Sequence, residues 1–197
     1  FRDQQGTVTH LEVAIKFFLL HAESTASDEI RLDQFIGPNP KDNFDSKLTH
    51  MVSQQLQLGS KTGFQIEKKR ILVRGYLFYP GVEPKEQSGI NLPPLIRRDH
   101  ASGTWCRIGK IEEHLAGLCA ARYWIVPKPH WLAAYQPSPM DQFEATRFAE
   151  VIEERFRNGA SAIYFQSVNV DGQVGRHFVV PDCWPEVTSR GQRGGSN

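Results

Sequence analysis

The chain has 197 residues, of which 40% are hydrophobic and 23% charged, a composition that excludes disordered and fibrous classes and is typical of a globular protein. Its 23 basic and 22 acidic residues give a net charge of +1, so any binding of nucleic acid must be local rather than due to a global basic field. The three cysteines are widely spaced and lack CxxC spacing, which argues against a zinc ribbon and a disulfide framework and favours a cytoplasmic location. The longest apolar run is too short to span a bilayer.

The first residues predict a turn between two strands. Asp3 to Thr7 is a polar stretch around Gly6, and it lies between Phe1 and a β-forming run that begins at Val8. The first of these two strands is expected to begin upstream of Phe1. Part of the protein is therefore expected to precede the sequence given.

The stretch from Val8 to Leu20 predicts a strand, because its residues separate by parity. The odd positions form an apolar face, and the even positions form a partly polar one that carries His10, Glu12 and Lys16. We expect Thr9 to Leu20 to be a central strand with a dry odd face, since an edge position would expose that face.

The stretch DNFDSKLTHMVSQQLQLG predicts a helix from about Asp42 to Leu58. Asp42 or Asn43 is expected to cap it and Gly59 to end it. Its apolar positions recur at helical spacing and are Phe44, Leu48, Met51, Val52 and Leu56.

The remainder of the chain alternates strands and helices. A strand is predicted at Arg70 to Pro80, and a loop at Glu83 to Pro94. Predictions for the next part are a strand over 103–111, a short helix over 110–119 and a strand over 121–127. A helix from a Ser138 cap to about Asn158 follows, and then a hairpin that turns at Asp171 and Gly172. This alternation predicts one mixed α/β domain over 1–187, with a flexible tail at 188–197.

The charges in the first strand have two interpretations. In one, Glu12 and Lys16 form an ordinary ion pair on the wet face of the sheet. In the other, that face is covered further along by Phe18 and Leu20, and the half-buried carboxylate needs a compensating partner such as a metal ion.

A Glu and then a Lys on one strand face, followed by a helix with polar residues, resembles the core of the PD-(D/E)XK nuclease superfamily. The segments HLEVAIKFFL, GPNPKDNFDSKLTHMVSQQLQL, RGYLFYP, RYWIVPKPHWL and FVVPDCWP resemble an uncharacterised bacterial protein family that is grouped with that superfamily. The resemblance implies a restriction-endonuclease-like α/β fold, in which helices flank a mixed central sheet.

The resemblance also implies a metal site and its chemistry. Glu12 and the carbonyl of Val13 would bind Mg²⁺ or Mn²⁺, and Lys16 would orient water or stabilise the reacting phosphate. The usual Glu-x-Lys spacing places the lysine at position 14, where this chain has Ala14. Lys16 lies about 6.6 Å further along the same face. The partner acid would lie upstream of Phe1.

The helix after Pro40 is expected to support this site. By resemblance Gln55, with Lys47, faces the active site, while His10 lies beside Glu12 on the strand; the alternative is a surface helix with a glutamine at its margin. These residues predict a metal-dependent nuclease acting on DNA or RNA. The rival hypothesis is a non-catalytic nuclease-fold protein with a nucleic-acid-binding, structural or protein-interaction role.

Overall fold

The computed structural model describes residues 1–21, 29–58, 63, 65–81 and 91–186. Its centre is a seven-stranded mixed sheet with strand order β2-β1-β3-β4-β7-β6-β5. The strands are β1 Thr9–Leu20, β2 Phe35–Ile36, β3 Lys68–Pro80, β4 Ser102–Arg107, β5 Arg122–Ile125, β6 Ile163–Val168 and β7 Val174–Val180. The strands β1, β3, β4 and β7 are parallel to one another, and β2, β6 and β5 pair antiparallel with their neighbours. The mixed α/β architecture agrees with the prediction.

The helices lie on one side of the sheet. They are α1 Phe44–His50, α2 Leu56–Leu58, α3 Ile111–Leu118 and α4 Ala145–Arg157. We call this side the helix face; there Phe44 packs against Phe18 and Leu77, while Leu115 and Ile152 pack in a second cluster with Phe165. The opposite side, the loop face, is covered by connecting segments, and its cluster includes Phe78, Tyr164, Phe178, Trp131 and Trp184.

The predicted first strand is confirmed as β1, but its buried face was predicted wrongly. The even-numbered residues of β1 point to the helix face, where α1 and α2 cover them. The odd-numbered Leu11, Val13 and Ile15 are 38%, 53% and 51% exposed on the loop face. Only from Phe17 onward does the loop face join the core. The reason is that the nearest covering helices lie against the more polar side of the strand.

The strand β1 has described neighbours along both edges, although of different lengths. Along one edge it pairs with β3 from Thr9 to Leu19, whereas β2 pairs with the other edge only at Leu19 and Leu20. Phe1 and Thr9 exchange two backbone hydrogen bonds of 2.9 and 2.8 Å across the predicted turn at Gly6, whose φ is +85°. Among the described residues, the middle of β1 is paired only with β3.

The helix after Pro40 is confirmed, with one irregularity. The side chain of Asn43 caps α1 by accepting a 3.1 Å hydrogen bond from the backbone N–H of Ser46. Between α1 and α2 the segment Met51–Gln55 is a π-helix, which inserts extra residues into the turn. Met51 and Leu56 remain buried, but the predicted apolar position Val52 is 49% exposed.

Two predictions from the second half have different outcomes. The helix predicted from Ser138 was placed too early: Ser138 bonds Asp141 in a separate short turn, and α4 begins at Ala145, because Phe143 pairs with Tyr123 in an extended bridge. The hairpin at Asp171 and Gly172 is confirmed between β6 and β7.

Some predictions lie outside the described residues. These are the helix end at Gly59, most of the Glu83 to Pro94 loop, and the tail at 188–197. Within the described ranges, every helix is too short or too polar to cross a membrane.

Candidate functional site

The helix face of β1 places Glu12 beside His10. Alternate strand residues point to the same side, so these two side chains are neighbours, and His10 Nε2 lies 2.7 Å from Glu12 Oε1. The exposed fractions of the two side chains are 16% and 23%. The other ring nitrogen, His10 Nδ1, is buried and has no hydrogen-bond partner in the described part of the chain. The pair is thus largely withdrawn from water but incompletely satisfied.

Lys16 does not pair with Glu12. Its Nζ instead donates a 2.9 Å hydrogen bond to Asp42 Oδ2, just before α1. This pair is more open, with side chains 26% and 49% exposed. The expected Glu12–Lys16 ion pair is therefore wrong, because each charged residue has found a different partner on the same face. Asp42, one of the two expected caps, instead ties the helix start to the strand.

A glycine in β3 allows the two strands to approach at this point. Gly75 is paired in register with Lys16 and has a φ of +133°, which L side chains rarely adopt. A Cβ atom built on Gly75 would lie 1.7 Å from the carbonyl oxygen of Lys16. The backbone at Lys16 is therefore fixed by a position that tolerates only glycine.

The predicted Gln55 lies on the π-helical turn after α1. Its side chain is half-buried, and no hydrogen bond among the described residues joins it to Glu12. The side chain of Gln57 accepts a 3.3 Å hydrogen bond from Lys69, which is in register with His10. The predicted Lys47 is half-buried. The π-helical turn shifts the helix register after Met51.

The oxygen donors near Glu12 match Mg²⁺ in kind but fall short in number. Thr9 presents its backbone N–H and C=O to the strand edge that pairs with Phe1, so by alternation the carbonyl of Val13 points to the same edge, away from β3. Together with the Glu12 carboxylate it offers hard ligands of the type that Mg²⁺ takes. The described residues contain no group of three or more acidic, His or Cys side chains that could hold a metal. The donors therefore fit part of a metal site.

A groove of about 680 Å³ opens beside Lys16. Its lining includes Lys16, Asp42, Lys128, Trp131 and Arg155. Trp131 is held by packing, because its ring contacts Phe17 edge-on at 5.5 Å and its N–H donates to the Val126 carbonyl. The groove therefore combines cationic side chains with a rigid aromatic wall.

A second polar cluster, which sequence reasoning missed, lies inside the sheet between β4, β6, β7 and α3. Thr104 Oγ1 lies 2.7 Å from His177 Nδ1 and 3.2 Å from His114 Nε2, while Ser167 Oγ lies 2.8 Å from His177 Nε2. Burial lowers the pKa of His114 to about 4. Burial, and then the proximity of His114, lower the pKa of His177 well below its ordinary value. The lone histidines showed no spacing that could have indicated this network.

One family model matches the chain, over residues 1–180, and its description is a domain of unknown function, DUF1853. The chain belongs to this family, since the match covers most of its length. Neither the search of curated proteins nor that of solved structures gives a match.

Proposed function

We propose that the chain is a metal-dependent nuclease-like protein that acts on phosphodiester bonds of DNA or RNA. The observation that carries this proposal is the placement of Glu12 on the covered face of β1, bonded to a histidine whose other ring nitrogen is unsatisfied and followed by the carbonyl of Val13, which points away from β3. A carboxylate in such a position is costly without a compensating cation. A purely structural His10–Glu12 pair would be expected to have a hydrogen-bond partner for His10 Nδ1 as well.

The order of elements supports a restriction-endonuclease-like arrangement. The strand β1 leads into α1 and α2, and the chain then returns as β3, parallel to β1 and adjacent to it. The resemblance noted in the sequence requires such a unit, with the acid on the first strand and polar residues on the helix. In this proposal Gln55 and Lys47 are the polar residues that the helix contributes, and His10 positions the Glu12 carboxylate.

Each group has a role in this proposal. Glu12 and the Val13 carbonyl would hold Mg²⁺ or Mn²⁺, and the metal would neutralise charge on phosphate and activate water. Lys16 supplies a positive charge on the same face. Its bond to Asp42 keeps the ammonium close to the strand but directs it toward the groove rather than toward Glu12.

The position of Lys16 supports a second candidate function, binding of nucleic acid without cleavage. Lys16, Lys128 and Arg155 line one groove, where they could contact successive phosphates. In that case the half-buried Glu12 would serve only to fix His10.

Metal binding is tested by thermal unfolding with and without Mn²⁺, for the parent, Glu12→Gln and a control, Glu113→Gln, whose carboxylate lies on the exposed surface of α3. A ligand that binds the folded state raises the melting temperature by mass action. We expect the rise in the parent and in the control, and its loss in Glu12→Gln. Metal-free Glu12→Gln should be at least as stable as the parent; a loss of stability together with no metal effect in the parent would indicate a purely structural His10–Glu12 pair.

Cleavage is tested separately, with single- and double-stranded DNA and RNA in Mn²⁺. Removal of a metal ligand should lower the rate by about a hundredfold or more. Equal cleavage by the parent and Glu12→Gln would assign the activity to a contaminant or another site. Metal binding without cleavage by the parent, combined with nucleic-acid binding that Lys128→Gln weakens, would favour the second candidate function.

A further inference from the structure

The first halves of β1 and β3 form a two-stranded ribbon that extends beyond the rest of the sheet. The two strands pair from Thr9 and Lys68 onward, whereas β4 joins β3 only at Leu77. Parallel strands normally have both faces covered, and a two-stranded unit is marginally stable by itself. Here α1 and α2 cover the helix face of the ribbon, whereas the apolar side chains on its loop face are 36–53% exposed.

The uncovered face carries an aliphatic patch. Val13 and Leu72 are paired in register, Leu11 and Ile15 flank Val13 on β1, and all four side chains point to the loop face. Leu72 is 36% exposed, and the other three are exposed to a similar or greater degree. The patch ends where Trp131 covers Phe17. Contiguous exposed apolar surface of this type marks an interaction site more often than single exposed residues do.

A cationic row runs beside the patch. Lys68, Arg70 and Arg74 lie on the loop face of β3, with Arg70 in register with Leu11 and Arg74 with Ile15. All three are exposed, and none forms an ion pair with a described residue. The loop-face positions of the ribbon run from Thr9 to Ile15 on β1 and from Lys68 to Arg74 on β3, and none of them is acidic. The surface is therefore apolar along β1 and positive along β3.

We propose that the ribbon's loop face, defined by Leu11, Val13, Ile15, Leu72 and the cations Lys68, Arg70 and Arg74, is a docking site for an amphipathic α-helix with acidic residues along one flank. Helices are the elements that cover parallel strands, and alternate strand residues about 6.6 Å apart match the spacing of side chains three or four residues apart on a helix. The apolar stripe of the helix covers the aliphatic patch. The acidic flank lies along β3.

Charge and chemistry distinguish this occupant from others. A second copy of the chain would place one cationic row against another across a two-fold axis, and like charges at an interface oppose binding. A nucleic acid would satisfy the cations but leave four aliphatic side chains in water, and the ribbon offers no aromatic ring for base stacking. The side chains of the site point to the opposite face of β1 from Glu12, so recognition of the helix does not require the proposed nuclease chemistry.

The test uses the 197-residue chain and labelled synthetic peptides about 20 residues long, the length at which isolated helices become appreciable. One peptide has a leucine stripe flanked by glutamates, a second has lysines in place of the glutamates, and a third has serines in place of the leucines. Fluorescence anisotropy should give binding of the first peptide that is at least about tenfold tighter than that of the other two, a difference of about 1.4 kcal/mol.

Two variants separate the apolar and the charged contributions. Val13→Ser/Ile15→Ser should weaken binding of the glutamate peptide about tenfold, and Arg70→Glu/Arg74→Glu should transfer the preference to the lysine peptide. The matched controls, Val170→Ser in the β6–β7 turn and Arg157→Glu at the end of α4, should bind as the parent does. Thermal melts establish that each variant is folded, and Arg70→Gln/Arg74→Gln replaces the charge reversal if that variant unfolds.

Several results would overturn the proposal. Equal affinity for the glutamate and lysine peptides would exclude charge recognition, and unchanged binding by Val13→Ser/Ile15→Ser would place the peptide elsewhere. Tight binding of a single-stranded oligonucleotide that depends on Arg70 and Arg74, without binding of the glutamate peptide, would assign the surface to nucleic acid. Dimerisation of the parent that Val13→Ser/Ile15→Ser abolishes would assign it to a second copy.

Discussion

Lys16 and Asp42 join β1 to the start of α1 through a 2.9 Å hydrogen bond between Nζ and Oδ2. The contact holds the lysine at the wall of the groove and away from Glu12, which bonds His10. It thus divides the charged face of β1 into two separate pairs, one largely buried and one largely open.

The first prediction concerns the strength of this contact. Because the two side chains are 26% and 49% exposed, solvent screening should limit their coupling to about 0.5 kcal/mol. A double-mutant cycle with Lys16→Met and Asp42→Asn, measured by urea unfolding, checks the value, and 1 M NaCl should reduce it further. A coupling of about 2 kcal/mol or more would mean that the pair is shielded from water.

The second prediction concerns Gly75. Alanine at this position should destabilise the protein by about 3 kcal/mol, since its Cβ would clash with the Lys16 carbonyl and φ is positive. Gly117→Ala in α3 is the matched control, because a Cβ there meets nothing within 4 Å and alanine favours a helix. If the two variants melted at the same temperature, β1 and β3 could not be as close at this point as described.

The sequence was sufficient to locate most elements but not the covered side of β1. Period-two alternation identifies a strand and its two faces, yet both faces of β1 carry large apolar residues near Phe17 and Phe18. Which face is buried depends on where the next helix crosses, and that is set by long-range packing. The same limit applies to α4: the Ser138 signature is satisfied locally, but pairing of Phe143 with Tyr123 delays the helix.

Only part of the candidate site could be predicted from the sequence, because local spacing does not determine long-range contacts. Neighbours on one strand, such as His10 and Glu12, follow from spacing alone. The Lys16–Asp42 bond joins residues 26 positions apart, and the Gln57–Lys69 bond depends on an irregular helical turn. The Thr104 network joins four elements, and no local pattern indicates such a cluster.

The third prediction concerns the cysteines. Cys106 is buried, and burial together with the nearby Asp182 raises the pKa of its thiol to about 12, whereas Cys119 and Cys183 are exposed. Because the thiolate is the reactive form, a disulfide reagent such as DTNB at pH 8 should modify two thiols rapidly and the third only on unfolding. Rapid release of three equivalents from native protein would show that β4 is accessible.

The fourth prediction concerns Thr104. Thr104→Val keeps the shape but removes the hydroxyl that lies between His114 and His177, so buried ring nitrogens lose their partner. The expected loss is about 1–3 kcal/mol in the free energy of unfolding, measured at pH 7.5. Thr146→Val, on α4 at an exposed position, is the control and should change stability little. A neutral effect at Thr104 would mean that water or another group satisfies both rings.

The last prediction concerns pH. Burial lowers the pKa of His114 from 6.5 to about 4, and that of His177 falls well below 6.5, so both rings are neutral in the folded protein at pH values where the unfolded chain is protonated. The unfolded state then binds more protons, and stability falls as the pH decreases below about 6.5. Each histidine contributes a loss of up to about 1.4 kcal/mol per pH unit until its folded pKa is reached. Above about pH 6.5 the rings are neutral in both the folded and the unfolded states, so this loss is absent. Urea unfolding at pH 7.5, 6 and 5 should show this decline, and His114→Gln should flatten it although the variant is less stable at pH 7.5. The same slope in parent and variant would mean that His114 is not held neutral by burial and that the acid sensitivity has another origin.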